Sequence, residues 1–147
     1  MKITLFIAAL LAQQLSAQVI CSGGFAGTYP CNNVNLMSRV DFPAMGGNSN
    51  TVGSSCWGWT DPVDGHEYAL MGCSTHTAFV DITDPVNPVY KGKLNSTNNV
   101  SSPWREMKVY NNYAFIVSEA AGHGLQIFDL TRLRNVTTPQ NFTADAL

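Results

Sequence analysis

Two stretches of this chain repeat each other at a spacing that few architectures use. Tyr68-Ala69 recurs as Tyr113-Ala114, 45 residues on, and Phe79-Val80-Asp81-Ile82-Thr83 recurs as Ile127-Phe128-Asp129-Leu130-Thr131, 48 residues on. Each copy is built of short strand signals. Glu67–Gly72 follows the turn-former Asp61-Pro62-Val63-Asp64-Gly65. Thr77–Thr83 stops at Asp84-Pro85-Val86-Asn87-Pro88, where the prolines remove ladder donors and preset a turn. Val89–Leu94 alternates and runs into an Asn/Ser/Thr cluster. The second copy reads Trp104–Tyr110, the turn Asn111-Asn112, Tyr113–Ser118 and Gly124–Thr131. Beyond residue 17 no segment shows a capped helical period. The pattern predicts an all-β fold. A unit of ~45 residues holding about four strands predicts β-propeller blades, each a four-stranded antiparallel sheet. By the same register Cys56-Trp57 falls opposite Trp104-Arg105, with a turn three residues longer in the first copy.

The repeated acid, Asp81 and Asp129, is read structurally. A short acidic side chain after a strand caps the following turn by accepting from its backbone N–H groups. A residue repeated in each unit serves each unit rather than one reaction centre.

The N-terminus carries an address. Lys2 precedes the apolar run Ile3–Ala12, then Gln13-Gln14 and the small pair Ser16-Ala17. The run is too short for the ~20 apolar residues that a bilayer requires, so residues 1–17 are expected to be a cleaved secretion signal. Residues 18–50 form a cysteine-containing segment, and residues 51–147 the repeats. Within the former, Val34–Val40 resembles the fourth strand Val89–Leu94 and is a candidate propeller-closing strand. At ~45 residues per blade, the mature chain holds about two to three blades, fewer than the four of a closed ring. The chain is therefore expected to be an incomplete propeller, an N-terminal fragment whose missing blades come from a longer parent chain.

The repeats also carry a resemblance. Thr77-Ala78-Phe79-Val80-Asp81-Ile82-Thr83-Asp84-Pro85 and Gly124-Leu125-Gln126-Ile127-Phe128-Asp129-Leu130 resemble LVIVD repeats. The wider string runs from Cys21-Ser22-Gly23-Gly24 through Trp57-Gly58-Trp59 to Trp104-Arg105-Glu106-Met107-Lys108-Val109-Tyr110-Asn111-Asn112. It is similar to the choice-of-anchor B family over nearly the whole mature chain. The resemblance implies an extracellular β-propeller, tethered in relatives by varied C-terminal anchors, and brings neither a reaction nor catalytic residues.

An exported chain with four cysteines, Cys21, Cys31, Cys56 and Cys73, is expected to form two disulfides. Three pairings are open. The favoured one joins Cys21–Cys31 around a Gly-rich loop and Cys56–Cys73 between neighbouring strands. The spacings lack the close C-x-x-C pairs of structural zinc sites. Asn95, Asn99, Asn135 and Asn141 head four N-x-S/T sequons, candidates for N-glycosylation on surface loops.

Eight basic against ten acidic residues, with no basic run, leave no electrostatic footprint for nucleic acid. No metal or cofactor motif is present, and neither are the H-E-x-x-H, G-x-S-x-G and Walker patterns. Candidate ligand-binding residues are Trp57, Trp59, Trp104, Arg105, Glu106 and His123, since aromatic rings beside Arg and Glu can stack on sugars or hold a peptide. The simpler role for such aromatics is packing between blades. His66 falls in a turn, and His76 and His123 precede the third strands of successive copies. The chain is thus expected to be a secreted, non-catalytic module binding an extracellular protein or glycan. The alternative is an extracellular hydrolase or lyase working in the propeller channel through Glu106 or Glu119.

Overall fold

The computed structural model describes residues 18–147; the expected secretion signal lies outside the described residues. The chain is all-β. A short hairpin, β1 (Phe25–Ala26) and β2 (Tyr29–Pro30), opens it, closed by the disulfide Cys21–Cys31. The first repeat supplies β3 (Gly53–Thr60), β4 (Glu67–Cys73), β5 (His76–Asp81) and β6 (Val89–Asn95), which pair in chain order as an antiparallel sheet. The second supplies β7 (Arg105–Tyr110), β8 (Tyr113–Ser118) and β9 (Leu125–Asp129), likewise antiparallel. No helix among the described residues is long and apolar enough to cross a membrane.

The two sheets keep the repeat's register. Tyr68 pairs with Asp81 and Ala69 with Val80; Tyr113 pairs with Asp129 and Ala114 with Phe128. The first strands need a correction. Trp59 lies opposite Tyr68 and Tyr110 opposite Tyr113, so Trp57 corresponds to Lys108, not to Arg105. The first-copy turn is six residues longer, because eight residues separate Trp59 from Tyr68 and two separate Tyr110 from Tyr113.

Strand alternation fixes which face each sheet buries. In the first sheet Trp59, Tyr68, Leu70, Phe79 and Leu94 point toward the second; there Met107, Ala114, Ile116 and Phe128 point back. Phe79 stacks on Phe128 at 4.6 Å between ring centroids, and Phe142 meets both edge-on. Truncating such a ring costs about 3–5 kcal/mol. The equivalents of the first sheet's buried face, Tyr110, Tyr113, Phe115 and Ile127, lie on the outer face of the second sheet. The repeats therefore pack head to tail, one face of the first against the opposite face of the second.

The remaining face of the first sheet is covered by the N-terminal segment. A 3-10 helix, Phe42–Met45, lays Met45 and Phe42 against Ala78, Val80 and Tyr90. Val34–Val40, read as a strand, forms no ladder; its one bridge joins Leu36 to Val19. The second repeat also departs from four antiparallel strands. Asp129 caps a 3-10 helix, Leu130–Leu133, that buries both leucines between the sheets. The chain then returns to the first sheet as β10 (Gln140–Phe142), parallel to β6. Gly92, at φ 138°, makes room for it: a Cβ there would collide with the Gln140 backbone.

The second expected disulfide is absent. Cys56 is exposed and Cys73 buried, both as free thiols. A bulge between Gly53 and Cys56 sets Cys73 opposite Gly53 and Cys56 opposite Met71. The two cysteines are diagonal neighbours, about 7–8 Å apart, beyond the reach of a disulfide.

Candidate functional site

The edge strands β3 and β7 run side by side, and the groove at one end of their junction gathers the chemistry. Ser54, Ser55, Trp104, Arg105, Glu106, Val117, Ser118 and Glu119 line a cleft of about 520 Å³. The expected residues Trp104, Arg105 and Glu106 thus meet in one place. The indole of Trp104 is 62% exposed, free to stack on a ligand ring. Its backbone is fixed on both sides: Ser102 Oγ accepts from Trp104 N, and Ser118 Oγ donates to its carbonyl at 2.9 Å.

Glu106 is an anchored anion. Its Oε1 accepts from Ser55 Oγ at 2.8 Å, from the Met107 N–H at 2.9 Å and from Lys108 Nζ at 3.1 Å. Those bonds, the Ser55 hydroxyl first, hold the carboxyl down at about 2. Lys108 Nζ also stands 4.0 Å from the centroid of Trp57, a cation–π contact. Trp57 therefore belongs to the same row, Ser55–Glu106–Lys108–Trp57, although it lies outside the cleft.

Trp59 and His123 are elsewhere. Trp59 is buried in the inter-sheet core and stacked on Tyr68 at 5.3 Å; its role is packing. The hollow it edges, with Pro62, Asn111 and Tyr113, contains no charged residue. His123 is buried beneath the cleft, its Nε2 3.5 Å from Arg105 Nη1. Burial, with the Arg105 charge beside it, pushes the imidazole down from its ordinary value.

Arg105 is the residue that sequence reasoning placed least well. Its backbone lines the cleft and exchanges hydrogen bonds with Ser54 Oγ at 3.0 and 3.1 Å. Its side chain turns the other way, into the space between the sheets, and the residue is 2% exposed. A signal was available: the alternation of Arg105, Met107 and Val109 sets the arginine on the same face as two apolar residues.

His66 and His76 act structurally. His66 Nδ1 meets Asp81 Oδ2 at 3.0 Å, and the buried His76 bonds the Met45 carbonyl through Nε2 at 3.0 Å. Among the described residues no group of three His, Cys, Asp or Glu could hold a metal ion. The four sequon asparagines, Asn95, Asn99, Asn135 and Asn141, are all exposed. The chain matches no protein-family model, no curated protein and no solved structure.

Proposed function

We propose that the two repeats are neighbouring blades of an LVIVD-type β-propeller, similar to the choice-of-anchor B family, and that the chain is a secreted or surface-displayed module binding a glycan or protein beside Trp104. The propeller reading is supported by the shared register of Tyr68–Asp81 and Tyr113–Asp129, by the head-to-tail faces and by the adjacency of β3 and β7. A further blade would pack on the outer face of β7–β9. Export is supported by the leader-like residues 1–17 and by the Cys21–Cys31 disulfide. The exposed sequon asparagines suit N-glycosylation.

One observation carries the binding reading: an exposed tryptophan shares a cleft with two glutamates and three serines, with Glu106 locked as a hydrogen-bond acceptor. Carbohydrate fits this best, stacking a pyranose face on Trp104 and donating its hydroxyls to Glu106 and Glu119. General-acid catalysis needs a carboxyl that holds a proton near neutral pH. Glu106 does not, which weighs against it as the acid of the hydrolase or lyase reading.

A glycan array probed with the full chain tests the proposal. Saturable hits should weaken at least about tenfold on Trp104→Ala, with no product formed and Tm unchanged. Turnover that disappears on Glu119→Gln would establish the enzymatic alternative instead.

A further inference from the structure

Beneath the cleft, between the sheets, lies a polar cluster that the binding reading does not use. The Arg105 guanidinium donates through Nε to the Cys73 carbonyl at 3.0 Å and through Nη2 to Ser96 Oγ at 2.5 Å, with Nη1 3.5 Å from His123 Nε2. Three of its five N–H donors are thereby directed at neutral acceptors. No carboxylate lies within salt-bridge distance among the described residues. A buried cation without a counter-charge is one of the costliest arrangements a fold can hold.

The same layer leaves two further polar atoms without a partner, Thr77 Oγ1 and Gln126 Oε1, both on residues no more than 2% exposed. The residues are tied together. Gln126 Nε2 donates to the Asn95 carbonyl at 2.8 Å, Ser96 follows in the chain, and Thr97 Oγ1 donates to the His123 carbonyl at 2.8 Å. Thr77 lies opposite Gly72, against which Arg105 and Met107 pack. The balance runs to donors: two guanidinium N–H groups and the Thr77 hydroxyl, the His123 imidazole being engaged by Arg105 and by the Ile116 carbonyl. One acceptor, Gln126 Oε1, stands against them. A surplus of donors around an uncompensated positive charge is complementary to an anion.

We propose that Arg105 and Thr77 form a binding site for a small monovalent anion, of the size of chloride, between the two repeats. The anion supplies the charge that no side chain does and joins both sheets at the layer where the aromatic core ends.

The test uses the full chain. Thermal unfolding is compared in sodium chloride and, at equal ionic strength, in sodium gluconate, whose anion is too large to enter. Tm should rise saturably with chloride alone, and Arg105→Met should abolish the difference. Thr77→Val, which keeps shape and removes the hydroxyl, should raise the half-saturating chloride concentration about tenfold. A bromide-soaked crystal should give an anomalous peak beside Arg105, a readout that stands even if Arg105→Met does not fold. An ordered water there instead of bromide, or equal responses to both salts, would overturn the proposal.

Discussion

Arg134 grips Asp61 through two parallel hydrogen bonds, Nε to Oδ2 at 2.5 Å and Nη2 to Oδ1 at 2.8 Å, across 73 residues of chain. The Asp61 carboxylate is fully buried and also accepts the Val63 N–H. The pair ties the β3–β4 turn of the first repeat to the chain leaving the second. Fork-to-fork geometry of this kind is strong and orientation-specific. Asp61→Asn should lower Tm by roughly 5–10 °C, and Arg134→Met should do at least as much, because it strands a buried charge. Chiefly the Arg134 bonds hold the Asp61 carboxyl below its ordinary range. That stabilisation is present above about pH 4, and it is lost as the pH falls through the lowered value. Urea midpoints for wild type and Asp61→Asn should therefore converge in acid; parallel curves down to the acid limit would refute the assignment.

A second acid transition should appear at milder pH. His76 and His123 are buried, and burial pushes both imidazoles down from their ordinary value. The unfolded chain then binds protons that the folded chain refuses, so stability is full above about pH 6.5 and declines as the pH falls toward the lowered values. Urea unfolding between pH 8 and 5, conditions well above the carboxylate window, should show this decline. His123→Asn should flatten part of it. A midpoint that stays constant over that range would count against the buried neutral histidines.

The thiols give a direct chemical check. An aromatic disulfide reagent should label one cysteine per native chain, Cys56, and two after denaturation. Cys73 is withheld both by burial and because burial pushes its thiol up to about 11. Mapping by mass spectrometry should find Cys21–Cys31 as the single intrachain disulfide. A peptide linking Cys56 to Cys73 would mean that β3 pairs with β4 in another register.

What could be read from the sequence was what short-range patterns determine. The repeated acid is the clearest case: Asp81 Oδ1 accepts from the Thr83 N–H and hydroxyl at 3.1 and 2.6 Å, and Asp129 Oδ1 does the same for Thr131 at 2.9 and 2.7 Å. The strands from Glu67 onward follow equally from alternation and turn residues. The cleft was legible in part, since Trp104, Arg105 and Glu106 are consecutive and Glu119 follows at the paired end of β8. Misreadings arose where one residue of register decides the outcome. The bulge before Cys56 converts a cross-strand pair into a diagonal one, and the longer β3–β4 turn moves Trp57 onto Lys108. β10 escaped notice because its partner lies some 48 residues back (Gln140 against Gly92) and depends on a glycine that repeat matching does not weigh. Nor does a repeat reveal which of its faces a neighbour covers.

That last point has a consequence for solution behaviour. Trp59 and Tyr68 are 6% and 1% exposed, whereas their counterparts Tyr110 and Tyr113 are 72% and 42% exposed, with Val117 and Leu125 beside them also open. Sequence equivalence thus places core-type residues on a surface, and an apolar sheet face of this kind drives association. The full chain should self-associate with rising concentration, measured by light scattering after size-exclusion chromatography. The triple substitution Tyr110→Ser, Tyr113→Ser and Val117→Ser should return it to monomer with little loss of Tm, because exposed positions away from special contacts tolerate change within about 0.5 kcal/mol each. If Phe115 and Ile127, which are only partly exposed on this face, instead hold the strands together, the variant would melt several degrees lower while associating as before. That result would identify the outer face as part of this unit's own stability and not as a surface waiting for a further repeat.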